Sequence, residues 1–422
     1  MNAAGEEREL PGWLAVEAAR EQVLAGVEPL APVEVPIAGV DGRVTAEPLL
    51  TPADVPPFDA SAMDGFAVRA ADCPADGDGE SDLTGEPGEA ELAIAGESSA
   101  GTPWTGSLES GQAVSISTGA EVPPGADAVV RVEDTERRGG SVTIQSATTT
   151  GQNIRRRGEA MPVGSGVLPA GSRIGPVELG LLASTGKDPM LCHSRPTVAI
   201  VATGDELVAP GEPLGPGQIW NSNLAVISAM ARAAGGEVTS AVTIGDSKAE
   251  TEAALEAALD CDLAVICGGV SVGDHDHVKG TLTELGVERL FWGIAMKPGR
   301  PTWFGRRRTC RVLGLPGNPV SAMAVFAILG APLLKALSGD RSAGEVGRGR
   351  LASPVRRLPD RLLAAPCRLR SGSDRVELEP IAIKGSHDFI SLAGARALAL
   401  IEPGEGSVAA GTGVEMIALA AD

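Results

Sequence analysis

"LAVICGGVSVGDHDHVKGTL", Leu263 to Leu282, decides how the rest of the chain is read. Leu263 to Cys267 is a continuous apolar run fit for a strand buried on both faces, and Gly268, Gly269 and Gly273 follow it closely. Glycines at that point allow a tight strand-to-helix turn and let an anion approach backbone N–H groups. Ser271, Asp276 and Lys279 add a hydroxyl, a carboxylate and an ammonium, the parts for binding a phosphate together with Mg2+. His275 and His277 lie two apart, without the i, i+4 geometry of a helical metal pair, and read as bystanders rather than zinc ligands.

The same grammar extends upstream. Thr197 to Ala202 is another buried run, Asn223 to Ala234 has helical spacing and stops at Gly235 and Gly236, and Val238 to Ile244 is a strand. Ser247 with Glu250 forms a capping box for a helix ending near Leu259. The order is βαβαβ, which implies a parallel sheet covered on both faces, with ligands outside the carboxyl ends of its strands. Asp205 and Glu206 follow the first strand and Asp246 the second, so with Asp276 they are expected along one edge of the sheet. Carboxylates facing a phosphate there need a divalent cation between them, although Ser247 and Asp246 also suit helix capping.

Downstream, "MKPGRP" (Met296 to Pro301) uses two prolines to present Lys297 and Arg300 at low ordering cost, a cationic clamp for phosphate or oxyanion. "LPGNPVS" (Leu315 to Ser321) is a rigid turn feeding a helix N-terminus, where dipole and free N–H groups favour an anion. A long helix is expected around Ala322 to Leu337, and then short alternating strands such as Arg375 to Leu378 and Val414 to Leu419 that read as a small β-barrel. Near the start, Trp13 to Val27 suits an amphipathic helix. From 51 to 147 the chain is β-rich, with Ala113 to Ser117, Ala128 to Val132 and Ser141 to Ile144 as strands and the acidic stretch Pro74 to Glu91 as a solvated loop. In "GQNIRRRGEA" (Gly151 to Ala160), Arg155, Arg156 and Arg157 read as a solvated face or as a reach toward a dianion.

Composition narrows the function classes. A chain of 422 residues makes roughly two to four domains. The net charge of −20 argues against nucleic acid and anionic membranes as partners. Six cysteines without a C-x-x-C spacing suggest reduced thiols in a cytoplasm. The N-terminus is acidic where a signal peptide would be basic, and the stretch Ala322 to Leu337 reads as short of the ~20 residues of a membrane span.

Taken together, these segments resemble the MoeA family of molybdopterin molybdenumtransferases, whose eukaryotic relatives include the gephyrin E domain. The likeness is carried by "PPFDASAMDGFAV" (Pro56 to Val68), "STGAEVPPGADAVV" (Ser117 to Val130), "GQNIRRRGE", "TGDEL" (Thr203 to Leu207), "GQIWNSN" (Gly217 to Asn223), the glycine loop, "MKPGRP", "GLPGNPVSA" (Gly314 to Ala322) and "GSHDFISLA" (Gly385 to Ala393). The resemblance implies a multidomain α/β plus β protein. Its expected parts are a discontinuous dimerisation domain (12–50 and 148–190), a β-rich inserted domain (51–147), a three-layer α/β/α molybdopterin-binding domain (191–338) and a C-terminal β-barrel (345–422). It further implies a cytoplasmic homodimer that inserts molybdate into adenylylated molybdopterin with release of AMP, requires Mg2+, and takes its substrate from a molybdopterin adenylyltransferase.

Carried over residue by residue, the resemblance assigns Asp59 and Thr118 as site residues of the β-rich domain. Glu206, Asp246 and Asp276 become the acidic, Mg2+-holding edge. Gly268, Gly269, Ser271, Lys279, Lys297, Arg300, Pro316, Pro319, Ser321, Ser386 and Arg155 become the binding residues for molybdopterin, phosphate and molybdate. The chain departs from the family pattern at Ala160, Asn221 and Pro366, where Asp, Asp and Arg are expected, and at Arg300, where Lys is usual. Ala160 removes a carboxylate, which motivates two alternatives: a catalytically weakened binding or scaffolding paralogue, and a tungstate-selective insertase.

Overall fold

The structure, a computed structural model, describes residues 13–74, 88–269, 277–371 and 376–419. Ser271 and Asp276 lie outside the described residues, as does 75–87 of the expected acidic loop. The chain separates into two units, one of 1–47, 170–176 and 189–422, the other of 48–169 and 177–188.

The first unit is organised by a six-stranded sheet. Its elements are β1 (Thr197–Thr203), α1 (Ser222–Ala233), β2 (Glu237–Ile244), α2 (Lys248–Ala258), β3 (Leu263–Cys267), α3 (His277–Glu284), β4 (Glu288–Trp292), β5 (Trp303–Arg307) and β6 (Cys310–Leu315), in the order β2-β1-β3-β6-β5-β4. The first four strands in that order pair in parallel, with Ala202 opposite Cys267 and Cys267 opposite Leu315. Alternation along β1 sends Val198, Ile200 and Ala202 into one core and Ala199 and Val201 into another. This is why an uninterrupted apolar run specifies a two-sided sheet.

The parallel pairing expected of βαβαβ holds for β1, β2 and β3, but the sheet continues into β5, which runs antiparallel to both its neighbours. Only Arg308 and Thr309 separate β5 from β6, and so short a link can join only antiparallel strands. The capping box is half formed. Ser247 Oγ accepts the Glu250 N–H at 3.2 Å, but Glu250 Oε2 accepts from Gly245 N–H at 3.0 Å rather than from the cap residue.

The long helix, α4, spans Pro319–Leu337 and opens three residues before the expected start, with Pro319 at N1 where its missing N–H is harmless. At 19 residues and a mean hydropathy of 2.0 it matches a membrane span in length and composition, correcting the expectation that this stretch is too short. With 78% of that window buried inside the fold, it is the core helix against which α1 and the sheet pack. A π turn at Phe326–Gly330 precedes Pro332, which has no N–H to give the carbonyl four residues back.

Beyond α4 the barrel closes on itself. Its strands β7 (Gly347–Leu351), β8 (Leu362–Ser371), β9 (Val376–Pro380), β10 (Ala397–Ile401) and β11 (Gly413–Ala418) follow the cycle β8-β9-β7-β11-β10-β8, leaving no free edge. Met296–Lys297 pairs in parallel with Leu362–Leu363 and so fastens the barrel to the sheet domain.

The second unit carries a mixed six-stranded sheet in the order Ala128–Arg131, Gly65–Val68, Gln112–Ile116, Ala90–Ser98, Ser141–Ile144 and Thr135–Arg138. Phe66, Val130 and Ile144 fill one of its faces, and Ala67, Val114 and Val129 the other. Ala90 and Glu91, expected in the acidic loop, begin a strand instead. Glu91 Oε1 accepts the Ser141 hydroxyl at 2.6 Å from the adjacent strand, a pairing across the sheet that composition does not reveal.

Candidate functional site

The carboxyl ends of β1, β3 and β6 meet at a close-packed rim. Gly268 N–H donates to Leu315 O at 3.1 Å, and its φ of +95° suits glycine alone; a Cβ there would lie 3.0 Å from Thr203 O. Asn223 Nδ2 donates to Gly317 O at 2.6 Å, while its Oδ1 is buried without a partner among the described residues. Asn221 accepts from Leu224 N–H to cap α1 and donates to Thr243 Oγ1 at 2.9 Å, two tasks that suit an amide. Cys267 stands at the same rim, but burial pushes its thiol up to about 12, so it stays protonated and is no nucleophile.

Glu206 and Asp246 are exposed at the ends of β1 and β2, and Asp246 N–H donates to Asp205 Oδ1 at 3.1 Å. Among the described residues no three His, Cys, Asp or Glu side chains are placed to share a metal. Lys279 Nζ lies 5.4 Å from the centre of the Trp292 ring, an aromatic neighbour that the phosphate reading did not foresee.

A cleft of about 1000 Å3 opens between the sheet domain and the barrel. It brings together five residues singled out in the sequence: Lys297, Arg300, Pro316, Ser321 and Ser386. Pro319 is absent from the lining and serves as the first residue of α4. Ser386 ties the barrel to that helix start, its carbonyl accepting Val320 N–H at 3.1 Å and its hydroxyl accepting Asn318 Nδ2 at 2.9 Å. Asn318 caps no amide with its side chain, but Pro319 has no N–H and Val320 has given its own to Ser386, so what the first turn of α4 offers the cleft is Ser321.

The cleft's second wall was missed. Asp360, Arg361, Lys384 and the uncharged Pro366 come from the barrel, and Asp360 is already paired with Arg361 at 2.7 Å. Four basic side chains against one neutralised acid make this a cationic cleft in a strongly acidic chain. Only the GSHDF motif next to Lys384 hinted at it.

Backbone geometry holds the clamp in place. Gly299 has φ +116°, and a Cβ there would lie 2.6 Å from Val325 Cγ2 and 2.7 Å from Met296 Cε. Gly299→Ala is therefore expected to cost about 2–3 kcal/mol of stability and to weaken anion binding by shifting Lys297 and Arg300. Denaturant midpoints and phosphate titration of the purified variant check both effects.

In the second unit, Asp59 accepts from Arg156 Nη1 at 2.7 Å and from Arg157 N–H at 2.8 Å. The Arg157 backbone N–H foremost, with the Arg156 guanidinium, holds the Asp59 carboxyl below its usual range against the opposing effect of burial. Arg157 also pairs with Asp54 at 2.6 Å, so two of the three consecutive arginines fasten their turn to the 54–59 segment. Arg155 pairs with Ala60 through its backbone, and its side chain makes no hydrogen bond or ion pair among the described residues. The Thr118 segment runs beside that of Asp59 through Gly119 N–H to Ser61 O at 2.8 Å and Val122 N–H to Asp59 O at 2.9 Å. Thr118 N–H itself donates to Asp64, a residue the sequence reading passed over. Ala160 is exposed, its N–H given to Val55 O at 3.0 Å.

A glycine-lined sheet rim and a cationic cleft, carried by the same unit, define a binder of phosphate- and oxyanion-bearing molecules. Family models agree over most of the chain: "MoeA N-terminal region (domain I and II)" matches residues 14–186, "Probable molybdopterin binding domain" 199–336 and "MoeA C-terminal region (domain IV)" 348–419. The chain is 36% identical over 377 residues to a molybdopterin molybdenumtransferase of Haemophilus influenzae, covering 87% of this chain and 89% of that one. It is 31% identical to molybdopterin molybdenumtransferase 1 of Mycobacterium tuberculosis, covering 96% and 99%. A solved structure of a molybdopterin biosynthesis moeA protein from Pyrococcus horikoshii superposes with a TM-score of 0.80 at 26% identity, covering 96% of this chain and 100% of that one. The chain belongs to the MoeA family.

Proposed function

We propose that this chain inserts molybdate into adenylylated molybdopterin with release of AMP. It is a transferase of molybdenum cofactor biosynthesis. The observation that carries the specific reaction is the cleft in which Lys297 and Arg300 face Ser321 and Ser386. Both substrates are anions, and separating a phosphate anhydride beside an oxyanion calls for fixed positive charge and oriented donors. Lys297, Arg300 and the two serine hydroxyls bind and orient the oxyanion, with Pro316 shaping the wall. Gly268 gives its N–H to Leu315 O and so shapes the rim, where the Gly269 backbone and Lys279 hold pterin phosphate.

Mg2+ fits the donor set, since Glu206 and Asp246 offer exposed hard oxygen ligands beside Asp205, and Mg2+ takes one or two carboxylates alongside substrate phosphates. When bound it neutralises charge on the anhydride. Asp59 orders the turn that leaves the Arg155 side chain available to a dianion, and Thr118 lies in the segment beside Asp59. A homodimer supplied by a molybdopterin adenylyltransferase, in a cytoplasm consistent with six free thiols, completes the reading.

Purified protein given adenylylated molybdopterin, Mg2+ and molybdate should release AMP. No release above blank, under conditions where a family member works, defeats the proposal. The exposed methyl of Ala160 favours a second reading, a binding paralogue with little turnover. Ala160→Asp raising turnover by orders of magnitude from near zero would select it, and competition between molybdate and tungstate tests oxyanion preference.

A further inference from the structure

Trp13 reads in the sequence as part of an amphipathic helix, but that helix begins at Val16 and Trp13 lies outside it. Leu14 instead forms a parallel bridge with Ile294 and its carbonyl accepts Ala295 N–H at 2.8 Å. The indole is seated on Gly293, where a Cβ would come within 2.6 Å of the ring. Its face lies 4.5 Å from the Arg300 guanidinium carbon, and its ring centre is 6.3 Å from that of Trp292, over which Lys279 sits at 5.4 Å. Arg300 makes no side-chain hydrogen bond or ion pair among the described residues, so the indole is what holds its guanidinium. Stacking occupies the face of a guanidinium and leaves its N–H edges free to meet an oxyanion.

We propose that Trp13 is a positioning residue that holds the Arg300 guanidinium ready for a tetrahedral oxyanion in the cleft. The inference rests on the reading of the cleft as an oxyanion site, and it names the side chain that orders that site's arginine. Without the ring, the long side chain of Arg300 must be ordered by the ligand itself, and affinity falls accordingly.

The test uses the full chain and molybdate alone as probe, so AMP release is not the readout. By calorimetry, Trp13→Met should raise the Kd for molybdate by roughly tenfold, while Trp13→Phe, which keeps an aromatic face, stays within about threefold of wild type. Arg300→Met should weaken binding at least as much, and adding Trp13→Met to it should change little, because the two act through one guanidinium. Molybdate should change the indole emission of the wild-type protein over the same concentration range, and Trp13→Phe should lose most of that change. Equal affinities in Trp13→Met and wild type, additive losses in the double variant, or no molybdate binding by the wild type would overturn the proposal. If Trp13→Met does not fold, the Trp13→Phe emission comparison decides alone: an unchanged emission response counts against the role of Trp13. A wild type that binds molybdate but releases no AMP would defeat the transferase reading and leave this one standing.

Discussion

Lys297→Met will lower kcat/KM for molybdopterin-dependent AMP release by about a hundredfold, the loss seen when one fixed charge is removed from a developing anion in a sheltered site. Lys297 lines the cleft, and its ammonium makes no hydrogen bond or ion pair among the described residues, so its charge is unspent within the fold. Pro298 and Pro301 limit the backbone on its far side, and pairing of Met296–Lys297 with Leu362–Leu363 limits the near side. The lysine therefore reaches a ligand with little ordering cost. Lys297→Arg keeps the charge and should recover part of the loss. A drop smaller than about threefold in Lys297→Met would remove this residue from the site.

Arg173→Met will cost about 3–5 kcal/mol of stability at neutral pH, because it strands a buried carboxylate. Asp340 is only 5% exposed, and Arg173 Nε bonds it at 2.9 Å while Nη1 and Nη2 donate to Gly42 O and Ala234 O. Burial would raise the Asp340 carboxyl, but hydrogen bonds from Ser342 together with the Arg173 guanidinium overcome it and hold the group below its usual range. A carboxyl depressed in the folded state stabilises above its unfolded value of 3.8, and that contribution fades as pH falls through the lower folded value. Urea unfolding across pH should show the Arg173→Met deficit at pH 7 and a flatter acid limb in Asp340→Asn. No deficit at pH 7 would mean that water already reaches the pair.

What could be read without coordinates was local. Leu263 to Cys267 announces a two-sided strand and Gly268 a turn with positive φ, each through the conformational preference of a few adjacent residues. The motif "MKPGRP" likewise marked one wall of the cleft, since its prolines and cations carry their meaning within six residues. The antiparallel β5 was less legible. It is a five-residue strand, and its direction follows from the two-residue link to β6 rather than from any periodicity of its own.

The amino-acid sequence by itself determined the wound sheet, the glycine rim, the barrel and the anionic character of the ligands, because hydrophobic period, turn chemistry and charge are properties of neighbouring residues. Only the tertiary structure decided which charges are spent and which remain. Asp59 meets Arg156 across 97 residues, and Arg300 meets Trp13 across an intervening stretch that holds most of the second unit. Arg155, Arg156 and Arg157 look alike in the chain, yet two are paired with the distant 54–59 segment and one side chain is not. Pairing at such separation is set by how the elements pack, and packing leaves no periodic mark on the residues that it brings together.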